Sequence, residues 1–522
     1  MARQGILVKI FPVALSIVAV SAASAFAADL PARVYTKAPA IAPGFSWTGF
    51  YVGGGGGRGF LTSETRPIDS ATGLPLNSGI TNGGRGIFGT VSAGYDYQFS
   101  DRIVGGVFGN YDFSNIRGFF SSGSAQNFFD PLGGRAQLDS SWAVGGRIGW
   151  LLDPKTLTYF NGGYTEARFT GQRLEGLDGN FPPTGAFLNG HTYSGWFLGS
   201  GVETKLDSLP GLDLLPGNGW FVRSEYRYAD YGSATLPMLT AAGPFPLGGA
   251  FASVRTSPVV QTIRTELSYK FNIGGAPATT YVAAPIAPVN WTGFYIGGGG
   301  GYGLSDSHVT AFNTVTNLPL NVGADSGGRG FFGTVRGGFD YQFSDKIVVG
   351  VLANYDFADI KGDMDTTLYE NPFSAIGGRS RLKDSWAVGA RIGRLVTPQT
   401  LTYVTGGYNQ ARFDGMSLTN LATGLVAGAG PAFVGARSYD GWFVGSGVES
   451  KLNFLPGNGW FVRTEYRYAD YGSQTTPVTT TGGGPFVLNG TPVSLNIHPI
   501  VQTVRTELSY KFNWDGPVVA KY

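Results

Sequence analysis

The sequence predicts an all-β protein whose antiparallel strands cross a membrane as closed barrels, built from two tandem copies of one unit. Three observations carry this. Charged residues make up only 14% of the chain, while aromatics also reach 14% and Gly numbers 83 among 522 residues; a soluble domain carries about 25% charged residues. The hydrophobic share is an ordinary 42%, and after residue 27 no run of eighteen apolar residues occurs, so a bundle of membrane helices is excluded. Finally, the strand-like segments alternate in polarity residue by residue, as a strand does with lipid on one side and a polar interior on the other.

The first residues read as an export signal. Arg3 and Lys9 form a basic start, Ile10 to Val20 an apolar core, and Ala25-Phe26-Ala27 the small-residue pattern of a cleavage site. Residues 1–27 are thus expected to be a signal peptide, cut after Ala27. Removing Arg3 and Lys9 leaves 35 basic against 35 acidic residues. The net charge of +2 belongs to the signal, and with it goes any support for nucleic-acid binding. The chain has no Cys, which excludes disulfides and thiolate metal sites. An exported chain that lacks membrane helices can still span a bilayer when every backbone group is paired between the strands of a barrel.

The repeat is explicit. Trp47-Thr48-Gly49-Phe50-Tyr51 returns at Trp291 to Tyr295, Asn110-Tyr111-Asp112-Phe113 at Asn354 to Phe357, and Ser141 to Gly145 at Ser385 to Gly389. Gly219 to Arg223 returns at Gly459 to Arg463, and Arg264 to Phe271 at Arg505 to Phe512. The offset of 244 residues through most of the unit is far longer than a solenoid repeat. The reading divides the chain into a leader at 28–46, a first unit at 47–272, a Pro/Ala-rich linker at 273–290, a second unit at 291–513 and a tail at 514–522.

Within each unit eight strands are predicted, in the first near 47–60, 85–99, 102–116, 141–152, 156–169, 192–206, 219–232 and 257–271. The seventh is the clearest: Trp220, Val222, Ser224, Tyr226 and Tyr228 share one face, and Arg223, Glu225 and Arg227 the other. A soluble sandwich would have to bury those three charges, whereas a barrel faces them into its lumen. The eighth repeats the pattern, with Ile263, Leu267, Tyr269 and Phe271 outward and Arg264, Glu266 and Lys270 inward. Aromatics near strand ends suit the two membrane surfaces. Short connections at Ser100-Asp101, Asp153-Pro154-Lys155 and Leu215 to Asn218 alternate with long polar ones near 61–84, 117–140, 170–191 and 233–256, which are the expected extracellular loops.

Taken together, W-T-G-F-Y after a Pro/Ala-rich leader, E-Y-R-Y-A-D-Y-G at Glu225 to Gly232 and Glu465 to Gly472, and the closing L-S-Y-K-F resemble the small outer-membrane β-barrel proteins of Gram-negative bacteria, among them the outer-membrane immunogenic surface antigens. The resemblance covers both copies. It implies an integral outer-membrane protein with a structural or surface role and no assigned chemistry. The departures are the duplication of a unit usually present once, and the continuation past Phe512 to Tyr522.

The inward charges form the candidate site. Arg147, Arg168, Glu203, Lys205, Arg223, Glu225, Arg227, Arg264 and Glu266 are expected inside the first barrel. Arg391, Arg412, Glu449, Lys451, Arg463, Glu465, Arg467, Arg505 and Glu507 are expected inside the second, while Glu166 is replaced by Gln410. Paired carboxylates could serve as acid and base; the favoured reading is a compensated ion-pair network, because buried charges must be paired. His191, His308 and His498 occupy unrelated positions in the copies, which favours loop polar residues over a metal site. The run Gly53 to Gly59 lacks the Lys-Ser/Thr and helix of a phosphate loop, and strand packing explains it better.

No cofactor, metal or catalytic residue is expected, and the protein is read as not an enzyme. The expected partners are the outer-membrane bilayer and, during biogenesis, periplasmic chaperones and the barrel assembly machinery; no extracellular ligand can be named. Two architectures stay open: two plugged eight-stranded barrels, or one sixteen-stranded barrel acting as a porin-like channel. A surface enzyme is a weaker alternative. Inward glycines such as Gly145, Gly149, Gly195, Gly199 and Gly201 favour the narrow barrels, where large side chains need small neighbours.

Overall fold

In the computed structural model the described residues are 46–76, 79–121, 132–153, 155–176, 185–206, 219–247, 250–271, 289–320, 323–366, 376–420, 432–452, 455–488 and 490–512. The expected signal peptide, nearly all of the leader and of the linker, and the tail lie outside them.

Among the described residues the first copy contributes eight long strands: β1 Gly49–Asp69, β2 Ile80–Gln98, β3 Ile103–Ser121, β4 Leu132–Asp153, β5 Thr156–Phe169, β6 His191–Lys205, β7 Trp220–Asp230 and β8 Ala250–Phe271. The second contributes β9 Gly293–Asn313, β10 Ala324–Gln342, β11 Ile347–Thr366, β12 Ile376–Thr397, β13 Thr400–Phe413, β14 Arg437–Lys451, β15 Trp460–Asp470 and β16 Thr491–Phe512. Consecutive strands within each copy pair antiparallel. β8 then returns to β1, from Phe50↔Phe271 to Asp69↔Ala252, and β16 returns to β9, from Phe294↔Phe512 to Asn313↔Val493. Each copy is therefore a closed ring in which these long strands pair on both sides, and closure removes the sheet edges. With both edges taken, β8 and β9 have none to give to a sixteen-stranded ring.

The outer wall carries an apolar band that includes Val52, Val91, Val107, Val144, Ile148 and Leu198. Aromatic pairs bound it. Phe50–Tyr95, Tyr97–Phe99 and Trp220–Tyr269 lie on the side of the short turns; Tyr111–Phe113, Trp142–Tyr164 and Trp196–Tyr228 lie on the side of the long loops. About 9–11 tilted residues cross a bilayer, yet β1 has 21 residues and β8 has 22. The strands thus continue well above the membrane into segments expected to be loops. Short strands at Gln172–Gly176, Ala186–Leu188 and Ala234–Pro237 pair there, and Leu174, Ala186, Leu188, Met238, Ala252 and Val254 form a separate small core.

The W-T-G-F-Y motif has a structural role. Trp47 turns into the barrel and packs with Val104, Leu151, Leu157, Tyr159 and Phe221 as an apolar floor at the short-turn end; Trp291 does the same with Val289, Val348, Leu401, Tyr403 and Phe461. Gly49 makes the entry turn, with φ of 151°, and a Cβ there would lie 2.5 Å from the Phe271 carbonyl oxygen, so only glycine fits. In E-Y-R-Y-A-D-Y-G the last glycine, Gly232, sits at φ of 64°, its N–H donating to Asp230 Oδ1 at 2.9 Å.

Candidate functional site

β4, β6, β7 and β8 bring most of the expected charges into one lumen, and the acids that complete their pairing come from β2 and β3. At the lower level, Arg147 donates to Asp96 through Nε at 2.8 Å and reaches Glu203 Oε2 at 2.8 Å, and Lys270 pairs with both acids. In the middle, Arg223 pairs with Glu266 and donates to Ser92 Oγ at 2.9 Å, while Ser92 donates to Glu266 at 2.6 Å. Above, Glu225 accepts from Arg227 at 2.8 Å, from Tyr159 at 3.0 Å and from Asn161 at 2.7 Å. Arg264 bridges from Asp112, at 3.1 Å, to within 3.8 Å of Glu225.

The aromatic lining completes the packing. Arg147 lies over the rings of Tyr51 and Tyr159, Arg227 over Phe197 at 4.3 Å and Arg264 over Phe88 at 5.1 Å. Such contacts stabilise a desolvated cation. Arg264 retains only 1% of its accessible surface. The space left beside Arg227 and Arg264 is a cavity of about 20 Å³, room for a single water. Small residues make this density attainable: a Cβ at Gly145 would meet the Phe197 ring at 2.8 Å, and one at Gly201 the Tyr159 hydroxyl at 2.5 Å.

The second lumen repeats the scheme with a few replacements, Thr405 standing where the first copy has Asn161. Arg391 joins Asp340 and Glu449, Arg467 joins Glu465, Arg505 joins Asp356, and Arg463 joins Glu449 and Glu507. Where the first copy has Ser92 the second has Arg336, which takes Glu465 at 2.8 Å and Glu507 at 3.0 Å.

Two expected lumen residues are elsewhere. Arg168 and Arg412 point outward and are exposed, Arg412 pairing with Asp384 at 2.7 Å. The inward set of β5 is Tyr159, Asn161, Thr165, Ala167 and Phe169, so Arg168 falls on the other phase, with Tyr164 and Glu166. Lys205 and Lys451 close β6 and β14 at the short-turn rim. Conversely, sequence reasoning missed Asp96, Asp112, Asp340, Asp356 and Arg336. Alternation with the tyrosines of β2 and β3 was the available signal. The histidines lie in strands rather than loops: His308 pairs with Asp325 at 2.7 Å, His498 with Asp470 at 2.8 Å, and His191 packs on Tyr193. Among the described residues no group of three potential ligands is placed to hold a metal.

Residues 273–496 match the outer membrane protein beta-barrel domain. This is an outer-membrane β-barrel protein. Relatives are named accordingly. The 31 kDa outer-membrane immunogenic protein of Brucella melitensis is 27% identical over 236 residues, 44% of this chain and 87% of the relative. The 25 kDa outer-membrane immunogenic protein of Brucella canis is 28% identical, over 48% of this chain and 92% of the relative. The 22 kDa outer membrane protein of Rhizobium leguminosarum bv. viciae is 29% identical, over 37% and 70%. Each alignment takes less than half of this chain and most of the relative, so one relative corresponds in length to one copy. The bilayer of the outer membrane is the protein's solvent, and the valines and isoleucines of the outer wall are its lipid-facing surface.

Proposed function

We propose that the protein is a structural, non-enzymatic component of the outer membrane that holds extended β-crowns and loops above the surface on two plugged barrels. The filled lumen supports this reading. From the Trp47 floor through the Arg147, Arg223 and Arg264 levels to Phe88 and Tyr231, buried side chains touch across the first barrel. A solute path would need a hydrated channel lined by weakly held groups, and these charges are paired with one another. Chaperones and the assembly machinery are the partners we expect during insertion.

Planar-bilayer conductance of the refolded full-length protein tests the proposal. Plugged barrels give no steady porin-sized conductance. Stable ohmic steps whose ion selectivity changes in Glu225→Ala would replace the structural reading with a channel.

A further inference from the structure

The upper outer faces of the two barrels meet, and they meet at equivalent positions. Asn82 of β2 forms an antiparallel bridge with Ser326 of β10, its own counterpart 244 residues later. Gly83 lies against Gly327, again its counterpart: a Cβ on Gly83 would come 3.2 Å from the Gly327 nitrogen and 2.5 Å from Asp306 Oδ1, and one on Gly327 would come 2.8 Å from the Asn82 carbonyl oxygen. The same patch on each unit therefore contacts itself about a pseudo-two-fold axis, the self-complementary arrangement of a symmetric dimer.

The strand edges explain why. The β2–β3 ladder ends at Gly84↔Gly118 and the β10–β11 ladder at Gly328↔Gly362. Past those points each strand offers its outer edge to the other copy, and edge-to-edge pairing is a recurring recognition mode. Outward side chains around the bridge are buried: Phe60, Val259 and Gln261 on the first barrel, Leu304, Ile500 and Gln502 on the second.

Charge has diverged across this seam. The Arg58 guanidinium lies 5.1 Å from the Tyr468 ring centroid, and the second copy has Tyr302 at the equivalent place. Arg85 Nη1 is 3.2 Å from Asp306 Oδ2, where the first copy has Thr62. Thr81 donates to Asp363 Oδ2 at 3.0 Å, where the first copy has Phe119. Arg85 recurs as Arg329 on the second barrel, but Arg58 is the first barrel's alone, and Asp306 and Asp363 are the second's alone. An arginine on an outer wall is costly against lipid, and Arg58, though exposed, has the Tyr468 ring beside it.

We propose that this seam is a specific docking surface whose occupant is the other copy, so that the chain works as a locked pair of barrels and not as two barrels free to move apart on a tether. The inference is independent of whether either lumen conducts.

The absence of Cys makes the test direct. Thr81→Cys with Asp363→Cys, in the full chain in outer membranes, gives one cross-link across the seam, read as a mobility shift under non-reducing conditions. Efficient cross-linking is expected, with a rate that falls about tenfold in Arg85→Asp or Asp306→Arg and recovers in the charge-swapped double variant. The heat-dependent mobility of each variant reports barrel folding separately. Should a reversal misfold, Gly83→Val replaces it, its side chain meeting Asp306 and Gly327, and is expected to slow cross-linking. No cross-link in a folded parent, or one that these changes leave at the parent rate, overturns the proposal.

Discussion

Glu225 is held by Arg227, Tyr159 and Asn161, with Arg264 beside it. Removing it takes the paired carboxylate from Arg227 and leaves Arg264 with Asp112 alone, inside a packed lumen. Glu225→Ala is expected to destabilise the first barrel by on the order of 3–5 kcal/mol, whereas Ala241→Ser in the long connection between β7 and β8 should stay within about 0.5 kcal/mol; urea unfolding in vesicles measures both. Asp306 behaves differently. It lies two residues beyond Leu304, which is level with the upper aromatic Tyr468 through their common neighbour Gln502, and so outside the membrane span. Burial pushes its carboxyl up from 3.8 to about 6; Arg85, His308 and His498 oppose this and Asp325 adds to it. A closed seam therefore binds a proton more readily than an open one. Between roughly pH 4 and 6 the open form loses its proton first, so the seam weakens as pH rises through this window and stays weaker above it. Cross-linking of the Thr81→Cys, Asp363→Cys double variant should accordingly be more efficient at about pH 5 than at about pH 7.5. The comparison is made against the same variant carrying Asp306→Asn, which should flatten the difference and which removes the thiols' own pH dependence.

At the level of strands, legibility depended on how different the two faces are. β7 and β8 place arginines and glutamates opposite Trp220, Tyr226 and Tyr269, and both are readable. β5 places Tyr159 and Asn161 opposite Tyr164 and Glu166, an aromatic and a polar group on each side, which is why alternation alone assigns Arg168 to the wrong face. Asp96 and Asp112 stand between aromatic neighbours, Tyr95 and Tyr97 and Tyr111 and Phe113, a signal confined to three residues in strands otherwise rich in glycine. The strand extensions above the membrane look like loops in sequence because no lipid enforces an apolar side there. The seam is illegible for a related reason: Phe60 and Gln261 look the same in sequence whether they face lipid or another barrel. The floor gives a prediction of its own. Trp47 packs on Phe221 at 5.0 Å and lies under the Lys270 ammonium at 4.4 Å. Trp47→Ala should cost about 3–5 kcal/mol, visible as a lower temperature for the mobility transition of the first barrel, with Trp291→Ala doing the same to the second.

For the whole molecule the residues named in W-T-G-F-Y and E-Y-R-Y-A-D-Y-G were enough to read an outer-membrane barrel in duplicate, because those motifs join wall, floor and lumen in one short stretch. Export remains an expectation about the first residues: N-terminal sequencing of protein from outer membranes should begin at Ala28, and a chain that retains Arg3 and Lys9 would contradict it. The bridge at Asn82 and Ser326 has a further consequence. A contact that lies on a two-fold axis is saturated by a single neighbour, since each patch is consumed by its own likeness. A third unit appended by further duplication would find no vacant patch and would have to join through a different wall. Assembly by this contact therefore stops at a pair, which distinguishes it from head-to-tail surfaces that can add subunits without limit.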